Sequence, residues 1–560
     1  MRSIFLFVLI SLIASNKLEA QCHGFVQNTM GDTAAISVSS VIDANDNVYT
    51  VGYFQGIVTV GTTTLKTTTL PIGIFITKID KNGEFVYTKL IAEAISADVK
   101  SPNIAVGSNE IMIEGVVHDS LSISGKMYSQ AGTDHVFFII KLDLGPSLIW
   151  SQVYYYHDAL NLGGWGGIVS DKNGGAFVTT NFRDTMNVGS KQFIGLGLPV
   201  LVLHIDKDGN IVWTKASSLV GGYAKKIALD GAGNVIVGGE LESGIQFDSK
   251  FTGSGTADSI YRLYVASFSN DGSLTNWLWS QQPNAGAKKT NIRPLLTDLK
   301  CDHVNNILIS GEIGDSIQFD NIKLVGRFAM YIGKINSSGA IVWAQQKSGH
   351  VSGRPEFGYL ALDSNQNIYM AGTFVDSTYF GTQKYSGVKG GSWFTAHFID
   401  SAHWDHVVVG QNTGTAYPQS IVTTSRDSIV VVAQFVGNST SYNGLTATNG
   451  TDNNSNAYNL AWFGSCAVGS GVDEPLPFSD GISIYPNPVS GQLNIKFKND
   501  FSGIAGYRIV NELGVDVLRN RITSDNGVAE IPFGQSITPG IYFLIVQASG
   551  LVFSKKFVVR

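Results

Sequence analysis

Charge is scarce in this chain. Asp, Glu, Lys and Arg make up 15% of it, against the quarter usual in soluble domains, and no run of like charge occurs. With a net charge of −6, nothing offers the clustered Lys and Arg that a phosphate backbone requires, which excludes nucleic acid as a partner. Cysteine is scarcer still, three in 560 residues with no C-x-x-C pair. Beyond the N-terminal segment no apolar run reaches the eighteen or so residues of a membrane helix, so the mature chain is expected to lack an integral membrane segment. H-E-x-x-H, G-x-S-x-G and Walker A sequences are missing too. No catalytic, cofactor-binding or metal-ligating set is assigned.

Glycine is plentiful, 63 residues, alongside many Val, Ile, Thr, Tyr and Phe. That composition predicts an all-β protein with tight turns. The first residues, MRSIFLFVLISLIASNKLEAQC, combine Arg2, an apolar stretch from Ile4 to Ala14 and a small Ala20. This reads as a secretory signal peptide over 1–20. Gln21 precedes Cys22 where a lipid-anchored chain would carry a small residue, so no lipid anchor is expected.

One stretch recurs. DANDNVYTVGYF (43–54) returns as SDKNGGAFVTTNF (170–182), LDGAGNVIVGGEL (229–241), CDHVNNILISGEI (301–313) and LDSNQNIYMAGTF (362–374), with weaker copies at 106–117 and 424–435. Positions aligned with Gly52 are Gly115, Thr180, Gly239, Gly311, Gly372 and Ala433, at intervals of 59 to 72 residues. After each first strand comes a turn and a short alternating strand, as in ESGIQFD (242–248). Next are an apolar strand such as GIFITKID (73–80) and a strand with a central aromatic, as in IVWTK (211–215). Four such strands joined by Asn-Gly and Asp-Gly turns predict antiparallel four-stranded sheets. Seven of them around an axis predict a seven-bladed β-propeller over 21–469.

The repeats resemble the bacterial SBBP-type β-propeller repeat family. The pattern D-x-x-x-N-x-Y/I-x-x-G-x-F, followed by a D-S-I-x-F-D-type hairpin, carries the resemblance over about residues 34–465. It implies a fold found in exported proteins and transfers no catalytic residue.

The Asp and Asn of each repeat invite a calcium reading. An EF-hand loop needs Gly at its sixth position and Glu at its twelfth. Counted from Asp43 these are Val48 and Phe54, so a side-chain turn is the simpler expectation, with weak calcium binding in some blades kept open. Asp-Ser/Thr-aliphatic triplets, such as DSL (119–121) and DTM (184–186), resemble a bacterial O-glycosylation signal and equally make turns.

The seventh unit lacks an aromatic fourth strand, and GFVQNT (24–29) is the candidate to supply it, closing the ring. Cys22 would then lie near Cys466, and these two are expected to form a disulfide, leaving Cys301 a buried thiol; the alternative is that both are free. The aromatic series Tyr87, Trp150, Trp213, Trp279 and Trp343 recurs at one position per unit, which favours packing between blades over ligand stacking. Trp165 in GGWGG and Trp393 in GGSWF, flanked by glycines, are the ligand candidates. His397, Asp400, His403, Asp405 and His406 form the densest cluster of metal-capable side chains, read as a blade turn.

Residues 470–480 read as a linker, and 481–560 as a small β-sandwich of six or seven alternating strands. The carrying motifs are Tyr485-Pro486-Asn487-Pro488, Gly540-Ile541-Tyr542 and Lys555-Lys556-Phe557. They resemble the type A C-terminal sorting domain of the type IX secretion system. The resemblance implies a Gram-negative source, handling by the type IX machinery, and release or attachment at the outer cell surface. Three functions remain open: a non-catalytic binder of a surface glycan or protein, a structural or adhesive surface protein, and an enzyme with its site at the propeller channel.

Overall fold

The structure is a computed structural model that describes residues 25–560 apart from 467–481 and short internal stretches, the longer of them 159–165, 254–261, 281–293, 350–357 and 449–458. Among the described residues every regular element is a β-strand. The chain divides into two compact units, Met1–Ser470 and Gly471–Arg560.

The first unit contains seven antiparallel four-stranded meanders. The fifth is typical: Leu295–Cys301, Ile307–Ile313, Ala329–Ile335 and Ile341–Gln346, each paired with the next. The first strands of the seven sheets are Ala35–Ile42, Lys100–Val106, Gly166–Ser170, Gly222–Leu229, Leu295–Cys301, Gly358–Leu362 and Thr415–Thr423. Each packs against the first strand of the next sheet, and the seventh packs against the first. The seventh sheet takes its fourth strand, Phe25–Met30, from the other end of the chain. Phe25 lies opposite Gly464 and Asn28 opposite Ala461.

The repeated Asp residues make turns. Asp43 Oδ1 accepts the amides of Asn45 (2.8 Å) and Asn47 (2.9 Å). Asp230 does the same with Ala232 and Asn234, and Asp302 with Val304 and Asn306. Burial pushes the Asp43 carboxyl up, but hydrogen bonds from Asn47, Asn45 and Tyr49 outweigh it and hold it below its ordinary value. In the triplets, Asp119 and Asp184 adopt left-handed φ of 70° and 54°, the conformation a tight turn demands of a non-glycine.

The repeat glycine has a packing reason. Gly52, Gly115, Gly239, Gly311 and Gly372 pair across the strand with Phe75, Phe138, Tyr264, Tyr331 and Phe394. A Cβ on Gly115 would stand 2.8 Å from the Phe138 ring, and one on Gly311 would strike the Leu295 carbonyl at 1.9 Å. Where the glycine is replaced, the aromatic goes too: Thr180 faces Leu201 and Ala433 faces Ala461.

The short alternating strand does not join the four-stranded sheet as its sequence position suggests. It pairs with a second short strand in a separate hairpin, as Ser316–Phe319 does with Ile322–Val325. The fourth member of each sheet is instead the strand before the repeated motif, and the hairpin is an addition to each four-stranded unit. Four hairpins also bond to a strand of the preceding unit. Leu121–Ile123 pairs with Phe85–Ala94, Ser377–Phe380 with Ser348–Gly349, Ser439–Tyr442 with Gln411–Asn412, and Ile57–Val60 with Phe25–Met30.

Polar side chains bridge sheet to sheet. Asn181 donates to the Gly222 carbonyl (2.8 Å) and accepts from the Ala224 amide (3.0 Å). Asp46 accepts both the amide and the hydroxyl of Ser425, joining the first sheet to the seventh. The fourth-strand aromatics belong to this set: Trp150 Nε1 donates to the Lys207 carbonyl, Trp213 Nε1 to that of Asn270, and Trp343 packs on Phe398 at 4.9 Å. These indoles pack between sheets.

In the second unit, a three-stranded sheet (Ile482–Tyr485, Gln492–Phe497, Val528–Pro532) and a four-stranded sheet (Asp516–Ser524, Gly503–Asn511, Gly540–Ala548, Leu551–Val559) share one core that includes Leu493, Ile495, Ile509, Leu544 and Phe557.

Candidate functional site

The seven first strands line one cavity of about 700 Å³. One level of it is set by the residue opposite the position just before each repeat glycine. These residues are Ser39, Asn103, Gly167, Lys226, Asp298, Tyr359 and Ser420, facing Val51, Glu114, Thr179, Gly238, Ser310, Ala371 and Val432 across their strands. In five of the sheets a bulge immediately precedes this residue, as between Ala224 and Lys226 and between Leu296 and Asp298. A bulge kinks the strand and re-aims the side chain that follows. Two residues further along, the lining is mostly small and apolar: Val41, Ala105, Val169, Ala228, Ala361 and Val422, with Lys300 the exception.

The charged members are unequally held. Asp298 is buried and accepts the amides of Leu299 and Leu360, both at 2.9 Å, and Lys300 Nζ stands 3.4 Å from it. Glu114, behind the lining, is fully buried. Burial pushes its carboxyl up to about 8, against the downward pull of the Asn103 amide (2.6 Å) and the Lys226 charge. At neutral pH it is mostly the protonated acid. Burial pushes Lys226 down, partly offset by Asp298 and Glu114 and reinforced by Lys300. Cys301 also lines the cavity. It is partly buried rather than enclosed, and burial pushes its thiol up to about 12, which leaves it unreactive.

One of the two tryptophan candidates, Trp393, differs from expectation. Trp393 is fully buried, stacked on Tyr442 at 4.8 Å, with its Nε1 on Thr440 Oγ1 at 3.1 Å. Its ring has no face left for a ligand. The nearby glycine that matters is Gly410, where a Cβ would lie 2.2 Å from that Nε1. Trp165 lies outside the described residues, as does Cys22 of the expected disulfide; Cys466 ends the strand Asn459–Cys466. In the histidine-rich segment, His397 stacks on Tyr369 at 4.9 Å and Asp400 lies outside the described residues. No group of three or more His, Cys, Asp or Glu forms a metal-holding cluster among the described residues.

The C-terminal motifs, far apart in sequence, come together. Tyr485, Pro486, Asn487 and Pro488 form an exposed turn. Asn487 accepts from the Val558 amide (2.9 Å) and donates to the Lys556 carbonyl (3.3 Å), while Val489 exchanges backbone bonds with Val558 and Arg560. Tyr542 is buried against Phe557, its hydroxyl donating to the Thr538 carbonyl, and follows Gly540 at the start of its strand. Lys556 points to solvent beside the partly buried Lys555. Residues 483–560 match the family model described as the secretion system C-terminal sorting domain. They are a type IX sorting domain. No helix among the described residues is long and apolar enough to cross a membrane.

No curated protein matches the chain. Among solved structures, the chain is similar to one titled "Structural and functional probing of PorZ, an essential bacterial surface component of the type-IX secretion system of human oral-microbiomic Porphyromonas gingivalis". Identity is 11% over 96% of this chain and 100% of that one, with a TM-score of 0.21.

The cavity residues carry no motif, which is why sequence reading passed over them. A signal was there: each stands thirteen residues before the repeat glycine position, twelve in the second unit.

Proposed function

We propose that this is an exported binding protein, a seven-bladed β-propeller of SBBP-repeat type that holds a small polar ligand in its central channel, carried to the outer cell surface by its type IX sorting domain. The cyclic packing of seven first strands, and a fourth strand supplied from the N-terminal end, support the propeller. One observation carries the binding role. Positions that the fold needs are the same in most units: five of the seven keep the turn Asp, five the glycine under its aromatic, and an aromatic recurs on the fourth strand from the first unit to the fifth. The cavity positions are not; they read Ser, Asn, Gly, Lys, Asp, Tyr and Ser. A level of the repeat that differs in almost every unit, where seven units face a shared space, is suited to an occupant of that space.

The test is binding of the full exported chain to a panel of glycans and surface extracts, with and without calcium. Ala228→Trp, which fills the cavity, serves as the comparison. Saturable binding abolished by Ala228→Trp in a protein that still melts cooperatively supports the reading. Binding that Ala228→Trp leaves intact places recognition elsewhere. A chain that binds nothing yet is displayed on cells is a structural surface protein.

A further inference from the structure

Lys226 is out of balance with its surroundings. It lines the cavity at the level set by the bulged strands, and its ammonium donates no hydrogen bond to any described residue. The charged groups that face it are Asp298, Lys300 and Glu114. Asp298 is already engaged by two backbone amides and by Lys300. Glu114 is hydrogen-bonded to Asn103, and its acid form carries no charge to offer. Two ammonium groups therefore face one carboxylate at this end of the cavity. Lys226 is partly exposed to the cavity, and an ammonium that must share its neighbouring carboxylate with a second ammonium is suited to a ligand that brings the missing charge. Elsewhere in the lining of the same cavity are groups that pair with hydroxyls: Ser39, Tyr359, Gln419 and Ser420.

We propose that the cavity takes a carboxylate-bearing sugar, its carboxylate paired with Lys226 and its hydroxyls with the neutral polar residues at the same level. This rests on the channel being the binding site. A charge-assisted hydrogen bond from this partly buried ammonium gives the site its preference for acidic over neutral sugars. Asp298 holds Lys300 away and repels a second negative charge, so the preference is for a single carboxylate.

Calorimetric titration of the full chain tests this, with glucuronate, galacturonate and N-acetylneuraminate as the acids and glucose and galactose as the neutral counterparts. The expected result is saturable binding of at least one acid, weakened tenfold or more by Lys226→Met and by less than threefold by Lys172→Met, which removes a cavity-lining ammonium elsewhere. Met preserves the shape of the side chain without its charge, and near-ultraviolet circular dichroism confirms the fold. An acid that binds Lys226→Met as tightly as wild type overturns the inference. So does equal binding of a sugar and its acid, or no binding by any of the acids. If neutral sugars or a surface extract still bind, and Ala228→Trp abolishes that binding, the channel reading stands and only the charge preference falls. If Ala228→Trp changes nothing that binds, the channel itself is refuted.

Discussion

Glu114 couples the cavity wall to pH. Its carboxyl sits at about 8 in the folded chain against about 4.5 when unfolded, so the native state binds more protons between those values. Stability from this group is fully present below about pH 4.5 and is lost as pH rises through about 8. Glu114→Gln keeps an acceptor for Asn103 and cannot ionise. The melting temperature of the variant relative to wild type is expected to rise steadily from pH 5 to pH 8.5; a difference that does not change with pH would show that Glu114 is not protonated in the fold. Gly311 makes a second residue-scale prediction. A methyl at 1.9 Å from the Leu295 carbonyl and 3.0 Å from the Tyr331 ring forces the strand pair apart, so Gly311→Ala is expected to cost on the order of 1–3 kcal/mol in denaturant titration. Gly506, with nothing within 4 Å of its Cβ position, gives the contrasting case, in which Gly506→Ala is tolerated.

At the scale of the element, the turns and the hairpins behave differently. The Asp230 loop spends its carboxylate on the Ala232 and Asn234 amides and on the Asn234 side chain at 2.8 Å. Asp230→Ala should therefore lose about 1–2 kcal/mol, with millimolar calcium leaving the wild-type melting temperature unchanged. A calcium-dependent rise in that temperature would restore the metal reading of the loop. These turns were legible in the sequence because Asp, Asn and Gly announce themselves at fixed spacing, and the indoles because they recur once per unit. The hairpins were not. Strands of four residues such as Ser316–Phe319 carry too little alternation to specify a partner, and which sheet such hairpins join depends on neighbours some thirty residues away. Trp393 misled for a related reason: glycines beside it suggested exposure, whereas the space around its ring is cleared by Gly410. Lys226 and Asp298 became meaningful only once separate strands met around one cavity.

For the whole molecule, the two units permit separate interrogation. In the sorting domain, Asn487 ties the exposed turn to the last strand through two hydrogen bonds, so Asn487→Ala is expected to loosen that junction by about 1 kcal/mol. It should also lower the amount of protein recovered outside the cell, with no change in ligand binding by the chain that does emerge. Undiminished export would mean that the geometry of this turn is not what the machinery reads. In the larger unit, removing residues 25–30 strips the edge of Asn459–Cys466 and leaves Ile57–Val60 with its hairpin partner Thr63–Lys66 alone. Cooperative melting should shift well below that of the intact chain, or vanish.

The partnership of Phe25–Met30 with Asn459–Cys466 also fixes an order of events. More than 420 residues separate the two strands, so the earliest strand of the described chain waits for almost the latest part of its unit before its hydrogen bonds are met. Six sheets can be completed from neighbouring segments as they appear; the seventh cannot. Until that moment the nascent unit keeps two raw edges, and a chain destined to thread through membranes stays extensible while most of its length is already committed. The seam acts as a clock, tying the finished seventh sheet to the arrival of the last strand of its unit.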